Sequence, residues 1–272
     1  MRVVSSGRLH ATFEFGDLQV ISLRDGYIDM PTSRLRDENG CPLEELPAAV
    51  PLVGDNVRLA VNAFFVTDGA RSVLIDTGAS DVWHDPTMGL IYDALDEAGI
   101  DRAQVTDVAI THNHEDHVSG LIAPDGTEAF AELERVWIGA GDTSVFTGRL
   151  APIRDRVVPV SERIAINDWV TAIPTPGHTP GHTVYYVSSG TAHLLVWGDT
   201  VHVPALQFDR PKVSWELDGN QSQARAARAA LLEQLTRPHH FVAGAHLDSP
   251  CIARVTPAGS GYALEYLAPP IG

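Results

Sequence analysis

The sequence contains few cysteines and no long apolar run. Its 272 residues include two cysteines, Cys41 and Cys251, which are far apart and belong to no Cys-x-x-Cys pair. Two such cysteines cannot form a disulfide framework, and we interpret them as ordinary thiols in a reducing compartment. Because no stretch of about 18 apolar residues is present, we expect no membrane-spanning helix. The first residues lack the continuous apolar stretch of a signal peptide, so these features together predict a cytoplasmic protein.

Basic residues are also scarce. The chain has 19 Lys and Arg against 35 Asp and Glu, which gives a formal net charge of -16. Such an acidic surplus repels phosphate backbones, so we predict no nucleic-acid partner. The hydrophobic content of 44% and the charged content of 20% are ordinary for a globular protein with a core. The length allows one large domain or two small ones.

Apolar runs and turn signals alternate along the chain. Runs rich in β-branched and aromatic residues predict strands at 18–23, 61–67, 72–75, 107–111, 135–139, 170–173, 183–187, 193–197 and 240–243. Apolar stripes at helical spacing predict helices at 87–98 and 221–236, which end near Gly99 and Pro238. Many strands with interspersed helices favour an α/β sandwich.

Five of the apolar runs end in a residue that can bind a metal. These residues are Asp76, His112, His178, Asp199 and His246. If the runs are strands, each of these side chains lies at or just beyond the carboxyl end of its strand. Ligands of layered α/β folds bind at that edge. We therefore expect the five side chains to converge.

The segment "HNHEDH" at 112–117 crowds histidines and carboxylates together. A solvated acidic turn is the simplest alternative to a metal site, but it does not explain the matching residues farther along the chain. On an extended loop His112 and His114 point the same way and can share one ion. Asp116 and His117 then face the other way and can serve a second ion. Imidazole and carboxylate ligands suit zinc, cobalt, manganese or iron.

The later strand ends can complete such a pair of sites. His178 would complete the first site, His246 would complete the second, and Asp199 could bridge the two. Two ions that share a bridging water lower the pKa of that water and stabilise a leaving oxygen. This chemistry hydrolyses ester-like bonds.

The same motifs resemble those of a known family. "HNHEDH" at 112–117 is similar to the His-x-His-x-Asp-His signature of the metallo-β-lactamase fold superfamily. "LIDTG" at 74–78, "TPGHTPGH" at 175–182, "GD" at 198–199 and "GAH" at 244–246 resemble its other motifs, in the family's order. The resemblance runs from about Asn62 to His246. It implies an αββα sandwich with a two-metal site at one edge, here within a single domain over 1–272.

The resemblance also implies roles for individual residues. The implied metal ligands are His112, His114, Asp116, His117, His178, Asp199 and His246. The implied cofactors are two divalent ions, of which zinc is the first choice. Of the ligands, Asp199 would bridge the ions and Asp116 would pass a proton to the leaving group. Asp76 and His182 would support the ligands from behind.

Two further segments resemble a narrower group. "GDTVHVPALQFDRP" at 198–211 and "GAHLDSP" at 244–250 look like the methyl parathion hydrolase-like group, near the N-acyl homoserine lactonases. The resemblance implies a small lactone, aryl ester or phosphotriester substrate, attacked by a metal-bridging hydroxide. The segment at about 24–60 precedes the main motifs, and it could close over the site or form a homodimer contact.

Several alternatives stay open. A mononuclear iron sulfur dioxygenase uses overlapping motifs, and a glyoxalase II-like thioesterase or a non-catalytic binding protein could share the scaffold. His202 and His84 could face a pocket, although a lone histidine is more often structural. Trp83, Phe146, Phe208 and Trp215 could line such a pocket, although each is more often part of a core.

Overall fold

Strands dominate the architecture. The computed structural model describes residues 1–83 and 86–269. In chain order, the strands are β1 Arg2–Ser6, β2 His10–Phe15, β3 Leu18–Pro31, β4 Leu35–Arg36, β5 Leu52–Val53, β6 Asn56–Thr67, β7 Ser72–Ile75, β8 Asp107–Ile110, β9 Arg135–Gly139, β10 Val157–Val160, β11 Ile164–Ala165, β12 Val170–Pro174, β13 Thr183–Ser189, β14 Ala192–Val196, β15 Ser214–Trp215, β16 His240–Ala243, β17 Ile252–Ala258 and β18 Gly261–Tyr266. The α-helices are α1 Ile91–Glu97, α2 Glu115–Val118, α3 Pro204–Gln207 and α4 Gln221–Leu235. Short 3₁₀ turns occupy Thr32–Arg34, Arg102–Gln104, Ser119–Leu121, Ala140–Val145, Gly148–Arg156 and Gly198–Thr200.

The strands form two large sheets and one small ribbon. The first sheet has the order β1-β2-β3-β6-β7-β8-β9-β10, with β5 paired to β6. The second has the order β11-β12-β13-β14-β16-β17-β18, and β15 pairs separately with β4. Strands β7, β8 and β9 run parallel, as do β14 and β16, whereas β12 and β14 each run antiparallel to β13. Strands β12, β14 and β16 therefore share a direction and end at the same edge of their sheet.

The main core lies between the two sheets. Phe13 and Phe64 from the first sheet are buried in the same apolar cluster as Val184 and Val242 from the second. The hydroxyl of Tyr185 crosses this core and donates to the carbonyls of Ile110 and Trp137 at 2.7 and 3.1 Å. Helix α1 packs against β2 and β3, and α4 packs against β16 and β17. The molecule is an αββα sandwich, which confirms the predicted fold class.

Both predicted helices are present, with one boundary changed. Helix α4 matches the prediction, and the side chain of Asn220 caps it by accepting from the Gln223 amide at 3.0 Å. Helix α1 begins at Ile91 rather than at 87. The carboxylate of Asp25 accepts from the Ile91 amide at 3.0 Å, and the Thr87 carbonyl accepts from the Tyr27 amide at 3.0 Å. These contacts with β3 hold residues 87–90 outside the helix.

All the predicted strands are present, but the sequence patterns missed several sheet-edge strands. Strands β1 and β18 have few buried positions, and the outer half of β17 is exposed. Such edges need little apolar patterning, so their sequences give a weak signal. The segment at 24–60 starts inside β3 and ends inside β6, whose pairing continues from Gln19↔Thr67 to Pro31↔Asn56. No helix in the described residues is long and apolar enough to cross a membrane.

Candidate metal centre

The strand ends bring the predicted ligands into one place. Asp76 directly follows β7, and His112 follows β8 by two residues. In the second sheet, the segments after β12, β14 and β16 carry His178, Asp199 and His246. The side chains of all five residues are buried. The predicted convergence of these residues is therefore present in the structure.

The first group of ligand atoms comes from His112, His114, His178 and Asp199. One ligand atom from each lies within 4.8 Å of the others. His114 Nδ1 lies 3.1 Å from His178 Nε2, and Asp199 Oδ2 lies 3.3 Å from the same nitrogen. His112 Nε2 is 3.6 Å from Asp199 Oδ2. Three imidazole nitrogens and one carboxylate oxygen thus face a common point.

The second group comes from Asp116, His117 and His246, whose ligand atoms also lie within 4.8 Å of one another. Asp116 Oδ2 lies 3.4 Å from His117 Nε2 and 3.7 Å from His246 Nε2. Asp199 reaches this group too, since its Oδ1 is 3.2 Å from His117 Nε2 and its Oδ2 is 3.1 Å from His246 Nε2. Asp199 therefore lies between the two groups.

The donor set fits divalent metal ions. His112 Nε2, His117 Nε2 and Asp199 Oδ1 are buried and have no hydrogen-bond partner. Buried polar atoms are normally paired, so three such atoms directed at one centre indicate a missing partner. Imidazole and carboxylate donors are suitable ligands for zinc and related ions. The residues therefore fit a pair of metal sites that share Asp199.

Each ligand histidine except His114 is held through its other ring nitrogen. His117 Nδ1 donates to Asp76 Oδ2 at 2.8 Å, and His178 Nδ1 donates to Asp218 Oδ1 at 2.8 Å. His246 Nδ1 donates to the Ala60 carbonyl at 2.7 Å. In His112, Nδ1 lies 3.1 Å from the Thr111 hydroxyl. Such contacts fix the ring and present Nε2 to a metal.

Asp76 supports the ligand loop at several points. Besides the bond from His117, it accepts from the Thr111 amide at 2.8 Å and from the Thr111 hydroxyl at 2.9 Å. Its backbone adopts a φ of 60°, an uncommon conformation for a residue other than glycine. The turn at Asp76 comes directly after β7 and directs the carboxylate toward the ligand loop. The position of Asp76 agrees with the supporting role implied by the resemblance.

His182 lies beneath the centre instead of facing it. Its Nε2 accepts from the Asp199 amide at 3.2 Å, and its Nδ1 lies 3.3 Å from the Thr175 carbonyl. Burial lowers the pKa of His182 to about 3, so the ring is neutral and can accept that amide hydrogen. Gly198, the residue before Asp199, has a φ of 53°, a conformation that favours glycine. A Cβ at this position would lie only 2.8 Å from Thr111 Cβ, which is too close. This turn places Asp199 between the two groups.

A pocket of about 230 Å³ opens above the two groups. Its polar floor includes His114, Asp116, His178, Asp199 and His246. One wall is apolar and consists of Ile28, Met30, Leu59, Trp83, Trp215 and Leu217. The described lining residues include no Lys or Arg. Burial opposes ionisation of Asp116, but His117 and His246 lower its pKa to about 2, so this carboxylate is ionised.

His202, for which the sequence left a pocket position and a structural one both open, lines the pocket. It is buried, and its ring stacks between those of Trp215 and His246, with centroids 5.1 and 5.3 Å away. Neither ring nitrogen has a hydrogen-bond partner, and Nε2 lies 3.2 Å from Asp199 Oδ2. Its place three residues after Asp199 was the only signal in the sequence.

The other open positions divide between pocket and core. Trp83 and Trp215 line the pocket, and the Trp83 indole donates to the Glu115 carboxylate. Phe146 and Phe208 are buried in apolar clusters. His84 lies outside the described residues. Sequence reasoning missed Asp218 entirely, because it lies 40 residues after His178 and belongs to no motif.

Comparisons with known proteins agree with this geometry. The model of the metallo-beta-lactamase superfamily matches residues 56–246. The beta-lactamase-like protein 2 homolog of Drosophila melanogaster is 28% identical over 159 residues, which cover 57% of this chain and 49% of that protein. The hydroxyacylglutathione hydrolase of Cereibacter sphaeroides is 33% identical over 180 residues, 64% of this chain and 60% of the relative. The chain thus spans about half of the first relative's length.

A solved structure covers nearly the whole chain. AidC, a dizinc quorum-quenching lactonase solved with a product, superposes with a TM-score of 0.84. The two chains are 21% identical, and the match covers 94% of this chain and 96% of AidC. A likeness at this identity shows a shared fold. The structural match covers more of the chain than the family model does, so it extends beyond residues 56–246.

Proposed function

The chain belongs to the metallo-beta-lactamase superfamily, and we propose that it is a metal-dependent hydrolase that cleaves an ester-like bond with two divalent ions. The observation that carries this proposal is the pair of ligand groups that share Asp199 at the floor of one pocket. The complete second group favours two ions over the single iron of a sulfur dioxygenase. When bound, the ions would supply Lewis acidity and lower the pKa of water at the site.

The protein's own residues then have distinct tasks. Asp199 holds the two ligand groups together. Asp116 faces the pocket as a carboxylate, so it can accept the proton that the attacking water loses and pass it to the leaving oxygen. The ring of His202 lines the pocket, and neither of its nitrogens has a hydrogen-bond partner. It can therefore donate a hydrogen bond to a substrate oxygen. Zinc is the ion we propose, because the first group has three imidazole donors and the second combines two imidazoles with carboxylates.

The pocket favours a neutral substrate with an apolar group. One wall offers six apolar side chains, and the described lining includes no Lys or Arg to pair with a substrate anion. Bound ions would offset the charges of Asp116 and Asp199, whereas Glu115 adds a negative charge that is not a proposed ligand. Lactones, aryl esters and phosphotriesters meet these requirements. A glutathione thioester carries carboxylates for which the described lining offers no Lys or Arg, so the thioesterase alternative has less support despite the 33% identical relative.

Elemental analysis tests the proposal most directly. Protein purified without chelator or added metal should contain about two ions per chain, and it should hydrolyse members of a lactone, aryl ester and phosphotriester panel. The variant Asp199→Ala should lose both ions and all measurable turnover, because it removes the ligand common to both groups. A matched control is Asp107→Ala. The carboxylate of Asp107 lies outside the site and accepts from the Trp137 indole at 3.0 Å.

Other outcomes would change the assignment. About one iron per chain, with oxygen uptake on a persulfide substrate, would show that the protein is a sulfur dioxygenase and not a hydrolase. Two ions without turnover on the whole panel would favour a binding protein. Wild-type activity in Asp199→Ala would refute the bridging role.

A further inference from the structure

A buried carboxylate stands directly behind one ligand of the first group. Asp218 is almost completely buried, and its Oδ1 accepts from His178 Nδ1 at 2.8 Å. Its other oxygen, Oδ2, accepts from the Trp215 amide at 3.0 Å. The carboxylate therefore joins a proposed metal ligand to the backbone of a residue that lines the pocket.

A buried guanidinium lies on the far side of this carboxylate. Arg228 projects from α4 and is fully buried, with Nη2 3.7 Å from Asp218 Oδ2. Its Nε donates to the Thr200 carbonyl at 2.6 Å, and its Nη1 donates to the carbonyls of Val213 and Pro211 at 2.6 and 2.9 Å. A charge is seldom buried without such compensation. Four contacts thus fix the guanidinium beside Asp218 and beneath the turn that carries Asp199.

From these contacts, we propose that Asp218 and Arg228 are positioning residues that orient His178 and set the affinity of the first metal site separately from the second. This inference rests on the proposed two-metal function. Asp218 holds the His178 ring so that Nε2 faces the centre, and it makes that ring a better donor. Arg228 places a positive charge 3.7 Å from Oδ2 of the same carboxylate.

Other residues hold the histidines of the second group. The effect of Asp218 on the first site can therefore be separated from any effect on the second. Its histidines rely on Asp76 and on the Ala60 carbonyl, and neither of these contacts Asp218 in the described structure. The turn that carries His178 also has support independent of the Asp218 side chain. The Gly219 amide donates to the His178 carbonyl at 2.9 Å, and the Asn220 amide donates to the Gly177 carbonyl at 2.8 Å. Replacing the carboxylate should therefore leave the turn in place.

The test is a Zn²⁺ titration of metal-free protein against a chromophoric chelator. Wild-type protein should bind two ions. Asp218→Asn should bind one ion with wild-type affinity and the other about 10-fold to 100-fold more weakly. The matched control is Glu216→Gln, which removes the same charge from the same loop but affects an exposed carboxylate paired with Arg36 at 2.7 Å. It should bind both ions as wild type does.

A double-mutant cycle separates positioning from general stability. In a His178→Ala background, Asp218→Asn should weaken Zn²⁺ binding no further, because the ring that it orients is gone. If Asp218→Asn fails to fold, Arg228→Lys gives a second route, since it keeps the positive charge but loses the forked contacts. It should weaken the ion of the first group more than that of the second, because its contact with Thr200 also lies next to the shared Asp199. An equal loss of both ions in this variant would overturn the positioning role of Arg228.

Three outcomes would overturn the inference. These are wild-type affinity for both ions in Asp218→Asn, an equal loss at both sites, and an undiminished effect in the His178→Ala background. If wild-type protein binds two ions, these outcomes leave the proposed function intact. If wild-type protein binds no Zn²⁺, the proposed function fails and this inference fails with it.

Discussion

The floor and the apolar wall of the pocket are built in different ways. On the floor, hydrogen bonds from behind hold His117, His178 and His246. On the wall, side chains such as Met30 and Leu59 pack by apolar contact alone. Hydrogen bonds specify direction, whereas apolar packing tolerates changes of shape. The comparison indicates that the floor holds its side chains in fixed directions, whereas the wall tolerates changes in the shape of its side chains.

The two surfaces also come from different parts of the fold. The floor collects residues at the carboxyl ends of strands in both large sheets. The wall comes largely from β3 and β6 where they extend past the sandwich, and from the segment that carries Trp215 and Leu217. Strand β15 in that segment pairs with β4 of the N-terminal region. The segment at 24–60 thus contributes to the apolar wall of the pocket.

The largest expected effect comes from weakening the support of the floor. In Asp76→Asn, one amide must replace a carboxylate that accepts three hydrogen bonds, two from Thr111 and one from His117. At least one buried donor loses its acceptor, which costs about 1–3 kcal/mol of stability. We expect metal affinity and turnover to fall by up to about 100-fold. Chelator competition and kcat measurements would check this.

The control for this variant is Asp107→Asn, which changes a carboxylate outside the site. A wild-type metal affinity in Asp76→Asn would mean that the floor does not depend on its hydrogen bonds. The contrast between floor and wall would then lose its physical basis.

The floor was largely predictable from the sequence, and the wall was not. Asp76, His112, His178, Asp199 and His246 each follow an apolar run, and strand direction alone predicts that such residues meet at one edge. The seven proposed ligands do come together. No comparable rule applies to the wall, where the periodicity of apolar residues has the same appearance in a core and in a pocket.

Trp215 and Phe208 show this ambiguity. Both are buried aromatic residues of one region of the chain, yet Trp215 lines the pocket and Phe208 packs on Trp197 in the core. Asp218 shows a second limit. Its contact with His178 depends on how the segment before α4 returns to the site, and no local pattern encodes that path. Long-range contacts of single polar residues therefore required the structure.

A smaller effect is expected where floor and wall meet, at His202. In His202→Phe the ring can still stack on Trp215, but both nitrogens are removed. If His202 donates to a substrate oxygen as the charge develops there, kcat should fall by about 10-fold, the value of one hydrogen bond of about 1.4 kcal/mol. Steady-state kinetics with the best substrate of the panel would measure this. An unchanged kcat would make His202 a part of the wall only.

The wall itself should affect substrate binding more than the chemical step. Met30→Ala removes apolar contact at about 0.8 kcal/mol for each methylene that the substrate buries. For one or two methylenes, KM for a neutral apolar ester should rise about 4-fold to 15-fold, and kcat should stay unchanged. Comparing a long-chain with a short-chain ester gives the control, because the short ester should be affected less. A fall in kcat with constant KM would contradict the separation of wall from floor.

The smallest expected effect tests the charge of the wall. Leu217 is 43% exposed and lines the pocket, whose described lining has no Lys or Arg. In Leu217→Arg an exposed guanidinium can pair with a substrate carboxylate, and such a pair contributes up to about 1 kcal/mol. For an anionic aryl ester, kcat/KM should rise up to about 5-fold at low salt, and the gain should shrink as salt is added. A matched neutral ester should show no salt-dependent gain. An equal gain for both esters would mean that charge does not limit the substrates that this pocket accepts.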